Sequence, residues 1–151
     1  TYDNARLPQA LILAGEALDD QRMLQNGLSA LEWLCAMQTA PAGHFRPIGN
    51  EGFARRNEIS AQFHQQPLEA AATIDACIAA WRYTKNPSWL TNAAQAYDWF
   101  FGGNDLGINL ADEAGGCFDG LHAGGVNLNQ GAESILALQM SNAALSLAGQ
   151  G

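Results

Sequence analysis

Apolar positions recur at helical spacing in five stretches of the chain, and these stretches alternate in character. The first, from about Asn4 to Leu18 with Pro8 in its early turns, is apolar nearly all round (Ala5, Leu7, Ala10, Leu11, Ile12, Leu13, Ala14). The second follows the capping pair Asp19-Asp20 and runs to about Gln38, with Met23, Leu24, Leu28, Leu31, Leu34 and Cys35 on one side. The third begins at Pro67, a favoured first helical residue, and is apolar on most faces to about Tyr83. The fourth, with Asn86 as cap and Pro87 after it, sets Trp89, Leu90, Ala93, Ala94, Tyr97 and Phe101 against Asn92, Gln95 and Asp98. The fifth, from about Gly131 to Leu147, is again mostly apolar.

A helix apolar all round is covered on several sides, whereas a one-sided helix faces water. Alternation of the two in hairpins therefore predicts an inner and an outer layer: an all-α fold of the α/α-toroid or α-solenoid kind. The spacing that takes Leu24, Asn26 and Trp33 to Leu90, Asn92 and Trp99 also takes Asp3 to Glu69. A spacing two residues shorter takes Glu69 to Glu133, and Gln65-Gln66 to Asn129-Gln130. Stacked repeats would bring these three acids to one mouth of the fold. Within hairpins the connections are short. Between them, residues 39–66 and 102–130 form long loops that emerge at the same end, and long loops in compact domains are usually functional. Gly43-His44-Phe45-Arg46-Pro47 and Gly116-Cys117-Phe118-Asp119-Gly120 are candidates for short extended pieces within them.

Composition narrows the function. At 151 residues, 48% hydrophobic and 15% charged, the chain is globular rather than disordered. A formal net charge of -8, with Arg55-Arg56 the one basic pair, argues against nucleic acid and anionic membranes as partners. No apolar run is long enough to span a bilayer. Cys35, Cys77 and Cys117 are odd in number, widely spaced and without a C-x-x-C, which points to a reducing, cytoplasmic setting. The start at Thr1 in helical pattern, and apolar inner-type helices at both ends, predict one α/α-hairpin domain over 1–151, the C-terminal fragment of a larger toroid. Such a fragment is expected to self-associate or pack against the rest of a larger protein.

Several loop and helix-start motifs resemble a known family. They are Tyr2-Asp3-Asn4-Ala5-Arg6, Gly43-His44-Phe45 with Pro47-Ile48-Gly49-Asn50, and Gln65-Gln66-Pro67 with Glu69-Ala70-Ala71. Asn104-Asp105-Leu106-Gly107, Gly115-Gly116-Cys117 with Asp119-Gly120-Leu121, and Asn127 with Asn129-Gln130-Gly131-Ala132-Glu133-Ser134 complete the set. Together they resemble the C-terminal helical region of bacterial proteins associated with group 1 (GT-B) glycosyltransferases, a family similar to six-hairpin, α/α-toroid carbohydrate-active proteins. The resemblance implies a sugar-related role. His64 and Ile135 depart from it, standing where the family has Asp and Thr.

Asp3, Glu69 and Glu133 are therefore the candidate catalytic acids. Hydrolysis of a glycosidic bond needs one protonated and one ionised carboxyl flanking the sugar. Arg6, Arg46, Gln65, Gln66, Asp119, Asn129 and Gln130 are the candidate substrate-binding residues, since amides and guanidinium groups suit hydroxyl and anionic partners. A glycan or sugar is the expected partner, acted on by an enzyme or held by a non-catalytic module that supports a glycosyltransferase. A plainer reading makes the acids helix-dipole partners, each contributing roughly 0.3–1 kcal/mol, with Glu69 closing a capping box. In the same way, Arg6 and Arg46 would simply pair with Asp3 and Glu51. The helical tryptophans read as core, while Phe45, Phe53 and Phe118 are loop aromatics suited to stacking on a sugar face. His44, His64 and His122 match no compact metal motif, and the glycines form no nucleotide-binding pattern, so no metal or other cofactor is expected.

Overall fold

The computed structural model describes residues 2–50 and 61–149. Their order is α1 (Arg6–Ala17), α2 (Gln21–Met37), α3 (Pro67–Thr84), α4 (Ser88–Asp98), β1 (Gly120–His122), β2 (Gly125–Asn127) and α5 (Ala132–Ala148). The fold is mostly helical, with one small antiparallel hairpin in which Leu121 pairs with Val126.

Local chemistry sets the helix ends. Asp20 caps α2, its carboxylate accepting from the Arg22 and Met23 amides at 2.9 and 3.0 Å. Asp19 before it takes a left-handed φ of 51°, a conformation Asp tolerates, and this turns α1 back into α2. Pro67 opens α3, and Lys85 ends it in a left-handed cap whose amide reaches the Trp81 carbonyl at 2.7 Å. Asn86 supplies the expected cap chemistry at α4, its side chain accepting from Ser88 N at 3.0 Å. That helix stops at Asp98, short of Phe101: the chain turns there, and Trp99 and Phe100 drop into the core with no exposure.

α3 is the centre of the packing. It lies between α1 and α5, while α2 covers α1 and α4 covers α3. From Ala70 to Ala80 every residue of α3 except Asp75 is buried. The other two odd helices are less covered than α3. α1 and α5 each lie at a flank, and both show large apolar side chains to solvent: Leu7 and Leu13 on α1, and Leu136, Met140 and Leu147 on α5. Trp33 is also exposed, on the outer side of α2, rather than core. The β1–β2 hairpin was not foreseen. Of the expected extended pieces, 43–47 contributes the isolated bridge of Thr39 with Phe45, while 116–120 contributes the bridge of Ala111 with Cys117 and runs into β1 at Gly120.

α1 and α2 meet through glycine. A Cβ on Gly15 would sit 2.6 Å from the Leu24 backbone nitrogen, and one on Gly27 2.9 Å from that of Ile12. Backbone cannot yield as a flexible side chain can. Gly15→Ala is therefore expected to lower stability by about 1–3 kcal/mol, although alanine favours an exposed helix by about 1 kcal/mol. Chemical denaturation of the two proteins checks this.

Candidate functional site

The three repeat-related acids sit at the end where α1, α3 and α5 all begin, joined by the segment that leads into α1. Glu69 is buried, 3% exposed. It accepts from the Asp3 amide at 2.5 Å, the Asn4 amide at 3.2 Å and the Asn4 side-chain nitrogen at 2.9 Å. Asp3 adopts a left-handed φ of 55°, which lets successive amides point at one acceptor. One residue earlier, the Tyr2 hydroxyl donates to Glu133 at 2.6 Å, and this bond with the Glu133 charge holds the phenol above its usual range. Glu69 therefore does more than complement its own helix: its two oxygens fix the entry of a neighbouring one.

Arg6 is turned along the helices. Its guanidinium meets Asp75 on α3 at 2.7 Å, Gln9 at 2.8 Å and Asp3 within its own turn. Asp3 keeps a side chain that is 29% exposed.

A second polar centre ties the two long loops together. The Asp105 side chain is 3% exposed and receives Arg46, His44 Nε2 at 3.1 Å and Gln65 Nε2 at 2.7 Å. Burial alone would raise this carboxyl, but the bonds from Arg46, Gln65 and His44 outweigh it and hold Asp105 below its ordinary range. Gln65 is fully buried, with its amide oxygen 2.6 Å from the Trp99 indole nitrogen. Its backbone exchanges both hydrogen bonds with Leu121, so the 120–127 hairpin is laid against the start of α3. Gly120 permits this approach, since a Cβ there would lie 2.5 Å from the Gln65 carbonyl oxygen.

The remaining candidates divide into two groups. Asp119 accepts from Gly131 N at 2.6 Å and Ser134 Oγ at 2.7 Å, capping α5 from a distance. Gln130 donates to Asp112 at 2.7 Å, and that bond with the Gly116 amide keeps the Asp112 carboxyl low. Gln66 and Asn129, in contrast, make no side-chain hydrogen bond through their amides among the described residues. Gln66 is the residue before the first turn of α3, and Asn129 lies just beyond β2. Nearby, His64 and His122 bring their Nδ1 atoms to 2.9 Å, which requires one ring to donate and the other to accept. Glu51 and Phe53, the expected partner of Arg46 and a stacking candidate, lie outside the described residues, as do Arg55 and Arg56.

So the fold gathers Asp3, Glu69 and Glu133 at one end, with Gln66 at the start of α3 and Asn129 in the turn before α5. Arg46 and Gln65 go into the loop brace, and Arg6 into an α1–α3 bridge. No protein-family model matches the chain, and no curated protein sequence matches it either. Sequence reasoning gave Asp105 no part in the site. The only signal was its place in the Asn104-Asp105-Leu106-Gly107 motif, and Asn104 serves beside it as a turn former, its oxygen accepting from Leu106 N at 3.1 Å.

The Asp105 carboxylate is lower in the folded protein than its ordinary 3.8. Its stabilisation is complete above that value and is lost as the pH falls through the lower folded one. Asp105→Ala leaves the 28%-exposed Arg46 without its partner and is expected to cost about 3 kcal/mol at neutral pH. Denaturant melts at pH 7 and pH 3 check both statements, because wild type should lose more stability between the two than the variant.

Proposed function

We propose that this chain is a carbohydrate-facing helical domain of the α/α-toroid type, linked to glycan processing, with its glycan site at the end where α1, α3 and α5 begin. The observation that carries the reading is the convergence of Asp3, Glu69 and Glu133 there, one acid from each inner helix start, joined through Tyr2–Asn4. Carboxylates beside amides are the groups that recognise sugar hydroxyls. Gln66 and Asn129 offer amides with open hydrogen-bonding capacity, and Phe118, half-buried before β1, offers an aromatic face.

Within this reading the acids have different parts. Glu69 is a positioning residue, because both oxygens serve the entry to α1. Glu133 is exposed, and Asp3 keeps part of its carboxylate in solvent. These two are the acid–base candidates in the catalytic form of the proposal, which requires one of them to carry a proton while the other is ionised. A second reading, a non-catalytic helical module that supports a glycosyltransferase, is favoured by one specific fact: the buried polar atoms of Glu69 and Gln65 are engaged in holding the fold together. In both readings the exposed apolar side chains of α1 and α5 are surfaces for a second copy or for the remainder of a larger protein.

Glycan-array binding followed by titration calorimetry tests the site. Glu133→Gln and Asn129→Ala should each weaken binding about tenfold, or roughly 1.4 kcal/mol, with little change in melting temperature because both side chains are exposed. Glu69→Gln should instead lower stability by about 1.5–3 kcal/mol, well beyond a helix-end charge, since an amide nitrogen would face backbone donors. Absence of any glycan binding by wild type, or unchanged binding by the first two variants, would sink the proposal. Binding without turnover selects the non-catalytic form.

A further inference from the structure

A second reactive feature lies away from the mouth, between α2 and α3. Cys35 on α2 and Cys77 on α3 are 42 residues apart in sequence, yet their sulfurs are 3.8 Å apart. Both are free thiols. Just past the end of α2, Gln38 Nε2 donates to Thr73 Oγ1 on α3 at 2.9 Å, which fixes the register of the two helices at this narrow contact. The two thiols differ in access. Cys77 has no exposure. Cys35 is half-buried and lines an open cavity of about 500 Å³ with Leu28, Glu32, Thr39, Trp89 and Asn92. A small reagent entering that cavity therefore meets Cys35 with Cys77 directly behind it.

We propose that Cys35 and Cys77 form a redox-responsive pair that closes to an intrachain disulfide when a hydroperoxide enters the α2–α4 cavity. Their thiols also differ in acidity. Hydrogen bonding from Cys77 favours the Cys35 thiolate and holds its thiol below the usual value against burial and the Glu32 charge. The same contact and burial push Cys77 up. Cys35 is thus the attacking sulfur and Cys77 the resolving one.

In the first step the Cys35 thiolate attacks one oxygen of hydrogen peroxide. The O–O bond breaks, the departing oxygen leaves as water after taking up a proton, and Cys35 becomes a sulfenic acid. In the second, the Cys77 sulfur attacks the Cys35 sulfur. The S–O bond breaks, and the hydroxyl leaves as a second water with the Cys77 proton. Two thiols lose two electrons and two protons, and one peroxide becomes two waters. The sulfurs close from 3.8 Å to about 2.05 Å, a movement that side-chain torsion and the narrow α2–α3 contact supply. The bond would tie the first hairpin to α3 and close the chain segment that carries Arg46 and Gln65 into a loop.

Peroxide titration of the intact chain tests the pair. Wild type should lose two hydrogens in mass and two titratable thiols, without dimerising. Its melting temperature should rise by roughly 5–10 °C, reversibly with dithiothreitol, as expected for a cross-link of this span. Cys77→Ser should accumulate a Cys35 sulfenic acid that dimedone traps, and Cys35→Ser should leave Cys77 reduced. Cys117 is the internal control, since burial and the charges of Asp119 and Asp112 push it up to about 12. Oxidation that adds oxygen to wild type without removing both thiols, that cross-links separate chains, or that proceeds equally in Cys35→Ser would overturn the proposal.

Discussion

The burial of α3 is the constraint on which the rest of the structure depends. A helix whose residues from Ala70 to Ala80 are buried all round except at Asp75 has no solvent face, so it can exist only with neighbours on every side. α1, α4 and α5 supply them, with α2 joining at one edge. Small side chains let those neighbours approach closely, and Gly15 and Gly27 do the same one layer out, where α1 meets α2. Because α1, α3 and α5 start at the same end, the order of packing also decides that three helix entrances, with their donors and acids, stand together.

Bringing three helix starts together creates a polar problem that the loops solve. The first backbone amides of a helix have no partner within it. Here the solutions come from other parts of the chain: Glu69 receives the amides that lead into α1, and Asp119 receives the amide and hydroxyl that open α5. Asp105 then locks the loops that reach this end. Its partners Arg46 and Gln65 lie 59 and 40 residues away in sequence, and Gln65 passes the connection on to Trp99 and to the 120–127 hairpin.

What the sequence made legible was local or periodic. The caps at Asp20, Pro67 and Asn86 depend on neighbours within a few positions, and they are where side-chain chemistry put them. The offset from Asp3 to Glu69 to Glu133 carried the common orientation of the inner helices, because a repeat preserves place along the helix. Burial was legible as one face on α2 and α4 and as the whole circumference on α3. The apolar pattern of α1 and α5 is as strong, but exposure depends on what lies beside a helix, and that is not written in its own residues. The loop brace escaped for a related reason: Arg46, Gln65 and Asp105 are ordinary ligand-binding side chains by type, and nothing short of their mutual placement shows that they face one another. The hairpin at 120–127 is equally non-local, since its place is set by the bridge from Leu121 to Gln65.

The polar groups at the end where α1, α3 and α5 begin therefore fall into two layers. The inner layer, Glu69, Gln65, Asp105 and Asp119, is engaged by internal donors, so its geometry is set before any ligand arrives. The outer layer, Glu133, the exposed edge of Asp3, and the amides of Gln66 and Asn129, keeps hydrogen-bonding capacity toward solvent. Preorganisation of this kind is what the proposed glycan recognition would draw on, because groups held by backbone that is itself hydrogen-bonded need not be ordered on binding. Asp3 and Glu133 are tied to one segment here: Glu69 receives the Asp3 and Asn4 amides, and the Tyr2 hydroxyl donates to Glu133.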